Sequence, residues 1–463
     1  MPQPNILVFM TDDHGQWAAN CYGTTEIISP TMDYLARNGA KMNRAFTPTP
    51  VCSPARASFF TGRLPSQHGI HDYIHERGEG LQHPGIYDQT NIGQLLQQAG
   101  YQTALTGKWH CSQSWKPHPG FDRWFSYYDA QYPHRGMQRF SDEGELVEQE
   151  GHQSQLITDQ TIQFLRNRDR ERPFFTFVGY VNTHTPHKDM PERLADHYRQ
   201  CTFDEIPRES FPDCHGDSRF EVDDYDAPDF RESLAQYYAA VTAIDEQMGR
   251  VLDELEATGY LENTLVVYTA DHGLMMGHHG TRLKGNGTTP QNFLEESILV
   301  PCLLSWPGKI APGQECNELV DHIDLFQTVL DAACATPPAE TIEEIDSPGS
   351  SYLPLISGDE EDWRDAFFGE YGNARVIRTK THKLIKRYIG PNGIDYPDEL
   401  YDLINDPRET GNIIGEEAAQ DVVKALEERL EKHFSRYEKS ECSGLRLDEQ
   451  PIPNSAEPWR REG

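Results

Sequence analysis

Four short apolar runs, each ending abruptly in polar, chemically capable residues, constrain this chain more than any other feature. Ile6-Leu7-Val8-Phe9-Met10 leads into Thr11-Asp12-Asp13-His14-Gly15. Residues 101–106 lead into Gly107-Lys108-Trp109-His110, residues 174–181 into Asn182-Thr183-His184, and residues 264–269 into Ala270-Asp271-His272-Gly273. Such runs are strands buried on both faces, which occur in sheets covered by helices on each side. Helical stretches alternate with them, at 30–38, 91–99, 154–166 and 231–257. The repeated order of helix, strand and polar cluster is that of a wound α/β sheet, whose ligands bind outside the carboxyl ends of the strands. The expected fold is therefore α/β, with a mixed, mostly parallel central sheet flanked by helices. Parallel strands would bring the four clusters to one rim.

Beyond residue 360 the pattern changes. Residues 374–378 and 383–386 alternate as strands of a small antiparallel sheet, and 416–437 reads as a helix. A boundary is expected near 360, with a catalytic unit at 1–360 and a smaller C-terminal α+β unit at 361–463. The polar, aromatic-rich stretch 112–151 is expected to be a loop that shapes a pocket. The chain has 463 residues, enough for a large core, and a net charge of −33. That charge argues against nucleic acid or an anionic membrane as partner, and requires local cations wherever an anion binds. No run approaches the ~20 apolar residues of a membrane span. Nine scattered cysteines without a C-x-x-C suit a reducing compartment. With no signal-like N-terminus, the expectation is a cytoplasmic protein.

Two segments carry chemistry. In Val51-Cys52-Ser53-Pro54-Ala55-Arg56, Pro54 favours a helix start and Gly62 a helix end. Cys52 then lies at a helix N-terminus, where the backbone favours negative charge, with Arg56 one turn on along the same face. A buried structural cysteine is the competing reading. The second feature is Asp12-Asp13 with Asp271-His272. Carboxylates meeting at one rim repel unless a cation lies between them.

C-S-P-A-R followed by T-G-R-L-P resembles the signature of the formylglycine-dependent (type I) sulfatases, members of the alkaline-phosphatase-like superfamily. Pro65 to Gly69, the V-P-C-L-L-S-W-P-G stretch near 304 and the E-L-Y-D-L-x-x-D-P stretch at 399–407 are similar to further landmarks of that family. The resemblance implies that Cys52 is oxidised to formylglycine by a maturation enzyme. It also implies that Asp12, Asp13, Asp271 and His272, with the modified Cys52, hold one divalent cation. Calcium is expected; His272 stands where many sulfatases have Asn, and imidazole is a softer ligand, so manganese is the alternative. By the same resemblance Lys108, Lys284 and His184 bind the substrate, Arg56 orients the nucleophile, His184 protonates the leaving group and His110 deprotonates the modified Cys52. His187 is expected to be structural, and His278 and His279 are candidates for the pocket lining with no assigned chemistry.

The expected activity is hydrolysis of a sulfate ester on a mono- or oligosaccharide. The rivals are a phosphonate monoester or phosphodiester hydrolase on the same scaffold, a non-catalytic glycan-binding protein, and a hydrolase using unmodified Cys52. Oligomeric state is not legible.

Overall fold

The computed structural model describes residues 3–75, 83–128, 132–357 and 362–461. Ten strands form the central sheet. In chain order they are β1 (Asn5–Thr11), β2 (Ala40–Met42), β3 (Gln102–Gly107), β4 (Arg123–Tyr127), β5 (Arg135–Asp142), β6 (Glu145–His152), β7 (Phe174–Gly179), β8 (Thr264–Ala270), β9 (Cys302–Ser305) and β10 (Gln314–Cys316). Their order across the sheet is β10-β2-β9-β8-β1-β7-β3-β4-β5-β6. From β8 to β4 the strands are parallel. Beyond them, β9 and the β5–β6 hairpin run antiparallel.

β1 explains the layering. Its side chains alternate across the sheet, as the two-residue period of a strand requires. Leu7 and Phe9 enter one apolar cluster, and Ile6, Val8 and Met10 enter the other. Helices α1 (Pro30–Arg37), α4 (Gln153–Asn167) and α5 (Pro228–Ala257) cover the first face through Leu35, Ile157 and Met248. Helices α2 (Cys52–Thr61), α3 (Ile92–Gln98) and α6 (His322–Ala332) cover the second through Phe59, Leu96 and Phe326. Each such side chain, fully buried, contributes roughly 1.5–3 kcal/mol. The strand core is therefore a stiff platform for the loops at its ends.

The stretch expected to be a loop at 112–151 is instead mostly sheet, supplying β4, β5 and β6. β6 is the edge strand and buries none of its residues, while β5 beside it buries only Gln138, Phe140 and Ser141. A strand wet on both faces carries no apolar alternation, so it cannot be told from a loop by pattern.

The C-terminal strands β11 (Ala366–Tyr371), β12 (Ala374–Thr379), β13 (His382–Arg387) and β14 (Glu399–Asp402) form the expected antiparallel sheet. One face packs Ile377, Leu384 and Leu400 against Leu426, Leu430 and Phe434 of α7 (Gln420–Tyr437). The other packs Val376 and Ile385 with Phe46 and Val51. Thr49 Oγ1 donates to the Glu370 carbonyl at 2.6 Å, and the Glu370 N–H to the Pro48 carbonyl at 2.9 Å. The small sheet thus braces the backbone that leads into Cys52. The expected boundary near 360 lies outside the described residues.

Candidate active site

The register of the parallel strands assembles the site. Thr11 of β1 lies opposite Ala270 of β8, so Asp12-Asp13 and Asp271-His272 leave the sheet side by side. The Asp271 N–H donates to the Thr11 carbonyl (3.0 Å) and the Asp13 N–H to Asp271 Oδ1 (3.3 Å). Gly107 of β3 lies opposite Gly179 of β7, and the Lys108 N–H donates to the Gly179 carbonyl at 2.8 Å. Gly107 has φ +95°, and a Cβ there would come within 2.0 Å of the Gly179 carbonyl oxygen. Only glycine permits this turn, which carries Lys108 to the rim. Asp13, His110 and Thr183 also have positive φ, of 57°, 59° and 86°. Such strain in non-glycine residues persists where the surroundings over-determine the backbone, and it clusters at functional sites.

Cys52 is the first residue of α2, preceded by extended Val51 and closed at the far end by Gly62 in the left-handed conformation. All ten residues of α2 are buried. Arg56 does not point at solvent or substrate. Its Nε donates to Asp271 Oδ2 (2.8 Å), Nη1 to the Lys108 carbonyl (3.0 Å) and Nη2 to the Thr11 carbonyl (3.4 Å). One guanidinium fork thereby ties α2 to the ends of β1, β3 and β8.

Asp12, Asp13, Cys52 and His272 each offer a ligand atom, and these atoms lie within 4.8 Å of one another, all buried. Cys52 Sγ, which stands in for the oxygen of a converted side chain, is 3.3 Å from both Asp12 Oδ1 and His272 Nε2. Asp271 Oδ1 lies at the edge of the group, 3.4 Å from His272 Nε2. Two features fit a divalent cation. His272 Nδ1 is 2.9 Å from the Gly273 carbonyl and donates to it, which turns Nε2 toward the carboxylates. The Lys284 ammonium is bonded to Asp13 and lies 3.3 Å from Cys52 Sγ and 3.2 Å from His272 Nε2, a positive charge among the same donors. Lys108 is likewise bonded to Asp12. Burial would raise the Asp12 carboxyl, but Lys108, His184 and Arg56 hold it well below the usual range. Burial alone would raise the Cys52 thiol too; Lys108, Lys284 and His272 hold it down.

The two remaining histidines, His110 and His184, line a cavity of about 370 Å³ together with Cys52. His110 Nε2 is 2.9 Å from the Ile74 carbonyl and donates to it. His110 Nδ1 is buried and has no hydrogen-bond partner among the described residues, so with Nε2–H donated it carries the lone pair of the ring. Burial, then Lys108, lower the pKa of this ring. His184 behaves oppositely: burial would lower it, but Asp13 and Asp12 raise it. Its Nδ1 is 2.7 Å from the Thr185 carbonyl and 2.8 Å from the Tyr132 hydroxyl. Every site residue expected from the sequence is therefore brought to one place. Tyr73, His75, Tyr132 and Asn286 also line the cavity and were not anticipated. An aromatic in a polar stretch was the only signal for Tyr132. His278 and His279 lie outside the cavity lining; His279 pairs with Glu296 at 2.7 Å.

Residues 4–335 match the Sulfatase family, and residues 291–436 match the C-terminal region of N-sulphoglucosamine sulphohydrolase. The chain belongs to the sulfatase family. An N-acetylglucosamine-6-O-sulfatase of Bacteroides thetaiotaomicron is 28% identical, over 94% of this chain and 87% of that one. Human N-acetylgalactosamine-6-sulfatase is 28% identical, over 77% and 66%. A structure in complex with its substrate D-glucosamine-2-N,6-O-disulfate superposes with a TM-score of 0.80 at 26% identity, covering 94% of this chain and 98% of that one. The phosphonate monoester hydrolase of Agrobacterium radiobacter shares the fold, with a TM-score of 0.73 at 20% identity, over 94% and 96%. This sulfatase is a sulfuric ester hydrolase of the type I, alkaline-phosphatase-like kind.

Proposed function

We propose that this sulfatase removes sulfate from short sulfated sugars, using formylglycine made from Cys52 and one calcium ion, with manganese as the alternative metal. The observation that carries the reading is the convergence of Asp12, Asp13 and His272 on Cys52 at the floor of a cavity that Lys284 and His184 also line. When bound, a divalent cation held by Asp12, Asp13, His272 and the Cys52 side chain, with Asp271 beside them, supplies Lewis acidity, and the converted Cys52 supplies an oxygen nucleophile. Lys108 and Lys284 bind the non-bridging sulfate oxygens and stabilise the charge that grows on them. His184, its proton held by the fields of Asp13 and Asp12, donates to the departing sugar oxygen. His110, with Nε2–H committed to Ile74, uses the Nδ1 lone pair to take a proton from the Cys52 side chain and so releases sulfate. Arg56 touches neither sulfate nor sugar; it positions α2 and Asp271.

A sugar is favoured because the curated relatives cited above act on sulfated hexosamines, and because Tyr73 and Tyr132 offer flat apolar faces beside the charged floor. The small cavity and the net charge of −33 both favour short substrates over polyanions. The division at 360 into a catalytic unit and a bracing C-terminal unit belongs to the same proposal, as does a cytoplasmic location, which nine scattered cysteines without a C-x-x-C suit. The test is sulfate release from 6-sulfated N-acetylglucosamine, matched longer oligosaccharides and an aryl sulfate, beside phosphonate monoester and phosphodiester turnover. The fastest turnover is expected on the sulfated monosaccharide. A larger kcat/KM on the phosphonate would favour the rival, and a rate climbing with chain length would reveal a polymer groove.

A further inference from the structure

His184, the proton donor to the leaving group in the reading above, is anchored from a distant part of the sheet. It follows β7, whereas two of its partners, Tyr132 and His134, precede β5, and β3 and β4 lie between those strands. The register of the β5–β6 hairpin sets Arg135 opposite His152, which brings His134 and Gln153 together at the open end of the hairpin. There the Gln153 N–H donates to the His134 carbonyl at 3.0 Å. The side chains continue as a directed chain of hydrogen bonds. The Tyr127 hydroxyl donates to Gln153 Oε1, Gln153 Nε2 donates to His134 Nδ1 at 2.6 Å, and His134 Nε2–H donates to the His184 carbonyl at 3.1 Å. A carbonyl only accepts, so Nε2 of the neutral His134 ring carries the proton and Nδ1 accepts from the Gln153 amide. Burial, then the charge of His184, push His134 down to about 4 from the ordinary 6.5, which keeps this ring neutral at neutral pH.

Tyr127, His134 and Gln153 are all buried. Buried polar side chains bonded to one another hold a single geometry, because rotation would strand a donor or acceptor away from water. Tyr132, which lines the cavity, adds a second hold. Its ring meets that of His134 edge-on at 5.8 Å and that of His184 at 5.5 Å, and its hydroxyl lies 2.8 Å from His184 Nδ1. The Thr185 carbonyl is 2.7 Å from the same nitrogen and can only accept, so Nδ1 carries a proton that faces both oxygens. Nε2, elsewhere on the ring, lies 3.9 Å from Asp13 Oδ2 and is the atom left to give a proton to a bound ester. The backbone just before is fixed as well: Thr183 has φ +86°, and its hydroxyl donates to the Asp12 carbonyl. His184 is thus gripped at its carbonyl by His134 and at its ring by Tyr132.

We propose that Tyr132 and His134 are positioning residues, which aim Nε2 of His184 at the bridging oxygen of an ester whose leaving group is an alcohol. As the S–O bond breaks, its electron pair stays on that oxygen and the Nε2 proton moves to it. A sugar alkoxide leaves poorly without that proton, whereas a nitrophenolate leaves unaided. The hairpin thereby fits the enzyme to sugar esters rather than aryl esters. The inference rests on the sulfated-sugar reading above, in which His184 is the general acid.

The test is the ratio of kcat on 6-sulfated N-acetylglucosamine to kcat on 4-nitrophenyl sulfate, in wild type, His134→Leu, His134→Gln, Tyr132→Phe and His184→Ala. Misplacing a reacting group by about 1 Å can cost about 10²-fold, so His134→Leu is expected to lower the ratio about tenfold or more, through kcat rather than KM. His134→Gln, whose amide can reach the same carbonyl, should recover part of the ratio, and Tyr132→Phe should fall between wild type and His134→Leu. Because His134 acts through His184, His134→Leu should lower the ratio no further in the His184→Ala protein. If phosphonate monoesters prove the faster substrates, the same ratio is read on their alkyl and 4-nitrophenyl forms. Suppose the ratio falls in His184→Ala but stays at the wild-type value in His134→Leu and Tyr132→Phe, or the effect of His134→Leu persists undiminished in His184→Ala. Either result would overturn the positioning role and leave the general acid standing. A wild-type ratio in His184→Ala would remove the general acid, and the proposal with it. Inactivity of the wild type, converted at Cys52, on all four esters would sink the sulfated-sugar reading and this proposal together.

Discussion

Arg56→Met is the most informative single perturbation, because Arg56 is wholly buried and all its contacts are internal. The substitution keeps much of the volume and removes three donated hydrogen bonds. It strands the Asp271 carboxylate, also fully buried, with its 2.8 Å partner gone. Breaking a buried ion pair from one side costs about 3–5 kcal/mol, because the surviving charge is left uncompensated. The Lys108 and Thr11 carbonyls also lose acceptor partners, at about 1–3 kcal/mol for each that finds no water. Against a typical stability of ~5–15 kcal/mol, the variant should lose a third or more. The assay is urea unfolding by circular dichroism, in chelator, so that no bound ion compensates Asp271. Arg56→Met/Asp271→Asn should regain the larger share, since the double variant buries no lone charge, yet stay inactive. A single variant within about 1 kcal/mol of wild type, or a double variant no more stable than the single, would refute the argument that Arg56 acts by neutralising Asp271.

Three further outcomes are expected. After co-expression with a maturation enzyme, mass spectrometry of tryptic peptide 45–56 should find Cys52 as the aldehyde, and Cys52→Ala should be inactive; intact thiol in a fully active preparation would exclude the oxygen nucleophile. Elemental analysis should give one divalent ion per wild-type chain and a large loss in Asp13→Asn and His272→Gln, with activity falling in step; full metal content in both variants would remove them from the ligand set. Remote from the site, burial would lower His215, but Cys214 and Glu399 raise it to about 10, above the ordinary 6.5. A raised folded pKa stabilises fully below about 6.5 and stops contributing as pH climbs through about 10. Wild type should therefore exceed His215→Gln in urea midpoint at pH 6.5, by on the order of a few kcal/mol, with the gap closing by pH 10; a constant gap would mean His215 is neutral throughout.

The strands β1, β3, β7 and β8 were legible in the sequence because burial on both faces leaves unbroken apolar runs. Their polar ends were legible for the same reason: a run that stops at Asp12, Lys108, His184 or Asp271 marks where the sheet meets the site. Cys52 at a helix start followed from Pro54 and Gly62, which act locally through fixed φ and freedom at positive φ. The hairpin of β5 and β6 was not legible, since the edge strand β6 needs no apolar period and β5 offers Phe140 as its one large apolar core residue. Nor was the placement of Arg56, which sequence spacing set on the face of Cys52 and which tertiary packing turned toward Asp271 and two carbonyls. The cavity walls were the least legible. Tyr73, Tyr132 and Asn286 come from loops far apart in the chain and meet only in the folded cavity, and Arg461 reaches Asn286 from the other end of the sequence. Local chemistry along a chain writes its own signal in the residues that carry it, whereas a contact between distant segments depends on how the sheet orders its strands, and that order is decided by packing.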